Sequence, residues 1–80
     1  MPQTPLLKAS EVVKAFEKLG WRVARQRGSH IIMIKEGEIA SLSVPNHNPV
    51  AKGTLRSLIR SSNLIVSDFL SAAKNKDTRR

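Results

Sequence analysis

Two histidines are the only side chains of this 80-residue chain that ordinarily titrate near neutral pH. His30 ends the segment RQRGSH, where a turn leads into the apolar run 31–34, and His47 lies in the loop sequence PNHNP at 45–49. An unperturbed imidazole titrates near pH ~6.5, so it can both accept and donate a proton at physiological pH. His30 is therefore the first candidate for acid–base catalysis, and His47 is a candidate for a second proton-transfer group.

Each histidine also has a structural interpretation. Taken without further context, His30 is better explained as a histidine held in a strand by hydrogen bonds. His47 is explained slightly better as a loop residue that hydrogen-bonds the backbone, because proline and asparagine favour turns. Both alternatives stay open on the residues alone.

Basic side chains beside His30 could bind phosphate. Arg22, Arg25 and Arg27 offer planar guanidinium groups that match phosphate oxygens, and Ser29 adds a hydroxyl. A second set, Lys52, Arg56 and Arg60, recurs at i, i+4 and i+8 and predicts a basic stripe along a helix. That stripe is as readily a solvated helix face as a track that binds phosphates.

The whole chain is strongly basic. Fourteen Lys and Arg stand against six Asp and Glu, a formal charge of +8. Residues 74–80 account for only +3 of it, so the excess is not confined to the tail. Such a charge indicates a polyanionic partner, most often nucleic acid, although an acidic protein would serve as well.

Several other classes of function are disfavoured. The chain has no cysteine, its two histidines are 17 residues apart, and no carboxylates cluster, so we expect no metal site and no cofactor. No signal sequence or membrane-spanning run is present, which predicts a soluble, cytoplasmic protein without membrane contact.

The hydrophobic pattern predicts the elements that must position these side chains. A helix is expected over 10–19, with Ser10 as N-cap and Gly20 closing it. Three strands are expected over 21–26, 30–35 and 39–44, with turns at 27–28 and 36–38. A second helix should cover 52–62 with Asn63 at its end, and a short third helix should begin at an N-cap in 67–68.

These elements predict one domain over 10–73, between a flexible leader 1–9 and a frayed basic tail 74–80. Short turns make the three strands antiparallel, and the helices must cover one sheet face to form a core. The fold class is therefore α+β, a two-layer α-β-β-β-α sandwich with an extra short C-terminal helix. Trp21 is expected in the core rather than stacked on a base. The second strand is apolar on both faces, so the face of His30 stays open.

The element order matches the double-stranded-RNA-binding domain, and the motifs resemble a more specific family. In chain order these are Ser10-Glu11, Gly20-Trp21, RQRGSH at 25–30, VPNH at 44–47 and KGTLR at 52–56. Together they resemble the HicA family of toxin mRNA interferases over residues 10–69. The resemblance implies an endoribonuclease that cuts mRNA with His30 as its catalytic histidine. It also implies a HicB-like antitoxin that binds over the active surface.

Two other functions compete with the toxin. A non-catalytic RNA-binding module of the same fold would carry the same basic charge. A protein-interaction domain could instead dock an acidic partner on its basic face.

Overall fold

The computed structural model describes residues 6–74 as three helices and one three-stranded sheet. The elements in chain order are α1 (Ala9–Lys18), β1 (Arg22–Arg27), β2 (His30–Ile34), β3 (Leu42–Pro45), α2 (Lys52–Ser61) and α3 (Val66–Lys74). The strands lie in the order β1-β2-β3, and both pairs are antiparallel. The predicted α+β class and the order of elements are confirmed.

One core lies between the inner sheet face and the helices. From the sheet, Met33, Leu42 and Val44 are buried. From the helices, Phe16 of α1 and Phe69 of α3 are fully buried, with ring centroids 4.9 Å apart. The helices therefore cover a single sheet face, because a small chain can enclose only one core.

The C-terminal end of α1 joins the helix to the sheet through a tight, fully bonded turn. Gly20 has a φ of +102° and donates its N–H to Glu17, while Trp21 donates to the Phe16 carbonyl at 3.0 Å. This is a Schellman motif, and it confirms Gly20 as the residue that closes the helix. It also brings the buried Trp21 ring against Phe16 in an edge-on contact of 6.5 Å, so the predicted core role of Trp21 is confirmed.

The start of α1 differs from the prediction. The helix begins at Ala9, and its first N–H donates to Asn48 Oδ1 at 2.9 Å, so the predicted Ser10 N-cap is wrong. Leu7 also pairs with Val50, whose N–H donates to the Leu7 carbonyl at 2.8 Å. Within the expected leader, Leu7 and Ala9 are thus bonded to a distant loop at 48–50. The rest of the predicted leader at 1–5, and the tail beyond Lys74, lie outside the described residues.

The strands are displaced from their predicted ends. The first hairpin turn is 28–29 rather than 27–28, and Trp21 precedes β1. The third strand begins at Leu42 rather than at Ile39, which is fully exposed. The reason is pairing: β3 is bonded only to residues 30–33 of β2, so Ile39 has no strand opposite it.

The end of α2 follows the prediction closely. Asn63 adopts a φ of +64°, and Leu64 donates to the Ile59 carbonyl in a second Schellman motif. The helix ends at Ser61, and α3 then begins at Val66. The predicted N-cap at 67–68 is wrong, since both residues already lie in the first turn of α3.

Candidate active site

His30 lies on the outer face of the sheet, away from the helices. Its cross-strand partners are Arg27 on one side and Pro45 on the other. Met33, three positions along β2, is fully buried, and alternation places His30 on the opposite face with Ile32. The question that the sequence left open is therefore resolved, and the His30 side chain is exposed to solvent.

A β-bulge in β1 places three arginines on that same face. The paired positions are Arg22 with Ile34, Val23 with Met33, Arg25 with Ile32, Gln26 with Ile31 and Arg27 with His30. Regular alternation would put Arg22 on the opposite face from Arg25 and Arg27. The register shift between Val23 and Arg25 inserts Ala24 as an extra residue, and the alternation is reset.

Directly opposite residues share a face of the sheet, so all three guanidinium groups join His30 on the outer face. Each arginine is exposed, and none has a side-chain partner among residues 6–74. Sequence reasoning missed the bulge, although the spacing of the arginines carried a signal. In a regular strand, residues on one face are separated by an even number of positions. Arginines that are three and then two positions apart therefore cannot all lie on one face unless the strand contains a bulge.

The β1–β2 turn holds Ser29 beside His30. Gly28 has a φ of +57° at the first central position, which a type II′ hairpin turn requires. The Ser29 carbonyl accepts a hydrogen bond from the Asn46 N–H at 2.7 Å. The turn is thereby tied to the chain that leaves β3, and the exposed Ser29 hydroxyl lies at the His30 end of the sheet.

The loop that carries His47 is anchored on both sides. Asn46 is bonded to the β1–β2 turn, Asn48 caps α1, and Val50 pairs with Leu7. His47 between them is exposed and makes no hydrogen bond within the described part of the chain. A backbone hydrogen bond therefore does not account for His47 in the described structure, and the loop presents it at the same end as His30.

The basic stripe does run along α2, as its spacing predicts, but α2 belongs to the helical layer and not to the sheet that carries His30. Lys52 begins α2 just after the His47 loop, whereas Arg60 is near its far end, roughly 12 Å away at 1.5 Å per residue. Arg56 and Arg60 line a groove between α2 and α3. Of the three residues of the stripe, only Lys52 is therefore close in sequence to the His47 loop, which lies at the same end of the sheet as His30.

Within residues 6–74 no three His, Asp or Glu side chains come together as a metal-binding group. No helix among them is long and apolar enough to cross a bilayer. The described site thus consists of imidazole, guanidinium, hydroxyl and ammonium groups.

Residues 9–64 match the family model described as the HicA toxin of bacterial toxin-antitoxin systems. The chain belongs to the HicA toxin family. The resemblance predicted from the motif blocks is confirmed, and this HicA protein is one half of a toxin–antitoxin pair with a cognate antitoxin. No curated protein matches the chain closely. The match to the HicA model ends at Leu64, so α3 lies beyond it.

Proposed function

We propose that this HicA toxin is a metal-independent endoribonuclease that cleaves mRNA in the cytoplasm, with His30 as its catalytic residue, and that a HicB-like antitoxin neutralises it. The observation that carries the proposal is the shared outer face of the sheet. His30 stands there opposite Arg27, with Arg22 and Arg25 on the same open face.

RNA cleavage suits such a site because the substrate supplies its own nucleophile. The ribose 2′-hydroxyl loses a proton to a base and attacks the adjacent phosphorus, and the bond to the 5′-oxygen breaks as that oxygen receives a proton from an acid. His30 is exposed and without a partner among the described residues, so it can reach the 2′-hydroxyl as the general base. General acid–base catalysis typically contributes about 10²–10⁴-fold to a rate.

The arginines support the same reaction electrostatically. Arg27 is the direct cross-strand neighbour of His30, where Cβ atoms of opposite residues are about 5 Å apart. Its guanidinium group can donate two hydrogen bonds to the phosphate at the scissile bond as negative charge develops there. Arg22 and Arg25 extend the positive face along β1, and Ser29 adds a hydroxyl donor at its end.

In this proposal, His47 supplies the second proton. The bond between Asn46 and Ser29 brings its loop to the turn that precedes His30. In this proposal His30 accepts the proton of the 2′-hydroxyl and His47 donates one to the leaving oxygen. Lys52, which begins α2 after this loop, binds a flanking phosphate.

Expression in a host with an inducible promoter tests the proposal. Wild-type protein should arrest growth and shorten mRNA half-lives, and co-expression of its antitoxin should reverse both effects. His30→Ala should do neither while accumulating as folded protein, and Lys14→Ala, an exposed change on α1, should behave as wild type. Growth arrest without mRNA decay would instead favour a non-catalytic RNA-binding module. Undiminished decay in His30→Ala would contradict the assignment of the catalytic histidine.

A further inference from the structure

A groove between α2 and α3 forms a second surface, distinct from the His30 face. Its volume is about 500 Å³, and it is lined by Arg56, Ile59, Arg60, Leu64, Ile65 and Val66. We propose that this groove binds an acidic, amphipathic segment of the cognate antitoxin. The inference rests on the proposed toxin–antitoxin function, and it adds an anchoring site away from the RNA-cleaving face.

The groove is preformed because several hydrogen bonds hold the corner between α2 and α3. Asn63 and Leu64 close the Schellman motif on α2, and the Ser62 hydroxyl donates to the Ile59 carbonyl at 2.7 Å. Asn63 Nδ2 also donates to Glu38 at 3.2 Å, which fastens the corner to the β2–β3 loop. A preformed groove binds a partner without first ordering its own walls.

The groove carries one apolar side chain that is largely exposed, next to two that pack against the core at Leu64 and Val66. Ile65 is 62% exposed at the connection between the two helices, while Ile59 below it is buried in the core. Leu64 and Val66 are half-buried and flank Ile65. An aliphatic surface of this kind gains most from an apolar partner that removes it from water.

Charge selects the kind of partner. Arg56 and Arg60 line the groove one helical turn apart, are exposed, and have no partner in the described structure. Among residues 6–74, no acidic side chain lines the groove. The matching ligand therefore combines carboxylates with aliphatic side chains, as one amphipathic protein segment does.

RNA fits the groove less well than such a segment. The apolar walls would stay uncovered if phosphates alone met the two arginines. We therefore assign Arg56 and Arg60 to antitoxin binding and not to the RNA-binding residues of the sheet face.

The position of the groove gives it a different role from the His30 face. It lies toward the C-terminal end of α2, whereas the His47 loop precedes the N-terminal end of that helix. One of its walls, Ile65 and Val66, lies outside residues 9–64 that match the family model. A segment bound here would hold the antitoxin and favour the cognate partner without itself covering His30.

The inference is tested by measuring the affinity of the purified toxin for its antitoxin. The two proteins are co-expressed, separated and purified before the measurement. Ile65→Asp and the double change Arg56→Glu/Arg60→Glu should each weaken binding about tenfold or more, as losses at interface hot spots do. Leu6→Asp is the matched apolar control, because Leu6 is 60% exposed, and Lys14→Glu controls for charge. Both controls should stay within about twofold of wild type.

RNA cleavage by the free toxin separates this inference from the proposed function. Ile65→Asp should cleave RNA at the wild-type rate, so a toxin without nuclease activity would refute the function and leave the affinity test intact. Unchanged antitoxin affinity in Ile65→Asp would overturn the groove as its site. Loss of RNA affinity in the arginine double variant, with antitoxin binding retained, would assign the groove to RNA. Loss of self-association in Ile65→Asp, with antitoxin binding retained, would assign it to a second copy of the chain.

Discussion

At the scale of single residues, the identity of the chemical groups was readable from the sequence but their arrangement was not. His30 stood out because it is one of two histidines and follows a basic turn. The sheet face of His30 could not be predicted, because β2 has apolar residues on both of its faces. Only the burial of Met33 shows which face is turned toward the core. The bulge at Ala24 was likewise missed, because alanine itself does not mark an extra residue in a strand and only the spacing of the arginines around it indicated one.

The proposed roles of His30 as base and His47 as acid predict how the rate of RNA cleavage depends on pH. If His30 is the base, activity rises as it loses its proton; if His47 is the acid, activity falls as His47 loses its own. Wild-type cleavage should therefore give a bell-shaped profile. His47→Gln should lower the rate by about 10²-fold and remove the alkaline limb while the acidic limb stays. A profile that keeps both limbs would return His47 to a structural role.

At the scale of elements, the helices were predicted well because their signals are local. The stripes of α1 and α2 and the residues that close them, Gly20 and Asn63, act within a few positions of each other. The N-cap of α1 failed for the opposite reason. Its acceptor is Asn48, 39 residues away, and no local pattern indicates a partner at that distance.

The closing turn of α1 gives a stability prediction with an internal control. Gly20→Ala forces a side chain into a φ of +102° and sets its Cβ 3.1 Å from Lys35 Cε, so the free energy of unfolding should fall by about 1–2 kcal/mol. Gly53→Ala lies within α2, with nothing within 4 Å, and should raise it by roughly 0.5 kcal/mol. Urea unfolding of both variants measures the difference. Equal stability of the two would show that the turn does not constrain Gly20.

At the scale of the whole molecule, the basic charge was predictable and its distribution was not. The formal charge of +8 comes from the sequence, but the register decides that Arg22, Arg25 and Arg27 share one face with His30. The α2 stripe illustrates the limit of a helical pattern. Its spacing is regular, yet Lys52 lies near the His47 loop and Arg60 lies in a groove near the other end of the helix.

The salt dependence of RNA binding reports this distribution. Each phosphate contact to single-stranded RNA contributes about 0.7 to the slope of log affinity against log salt. Arg22→Gln, Arg25→Gln and Arg27→Gln should each reduce the magnitude of that slope by about this amount. Lys14→Gln on α1 should leave it unchanged. Titrations of a labelled oligonucleotide at several salt concentrations measure the slopes, and equal effects of all four changes would indicate non-specific attraction by net charge.

Cleavage of a labelled RNA by purified protein in EDTA tests the central claim most directly. Wild-type toxin should cut the RNA and leave 2′,3′-cyclic phosphate and 5′-hydroxyl ends, because the attacking group is the 2′-hydroxyl. His30→Ala should bind the same RNA with affinity within about threefold of wild type and cut it at least about 10²-fold more slowly. An RNA whose ribose at the cleavage site is 2′-deoxy should resist the wild-type protein. Cleavage by His30→Ala at the wild-type rate, or wild-type activity that disappears in EDTA, would contradict the account.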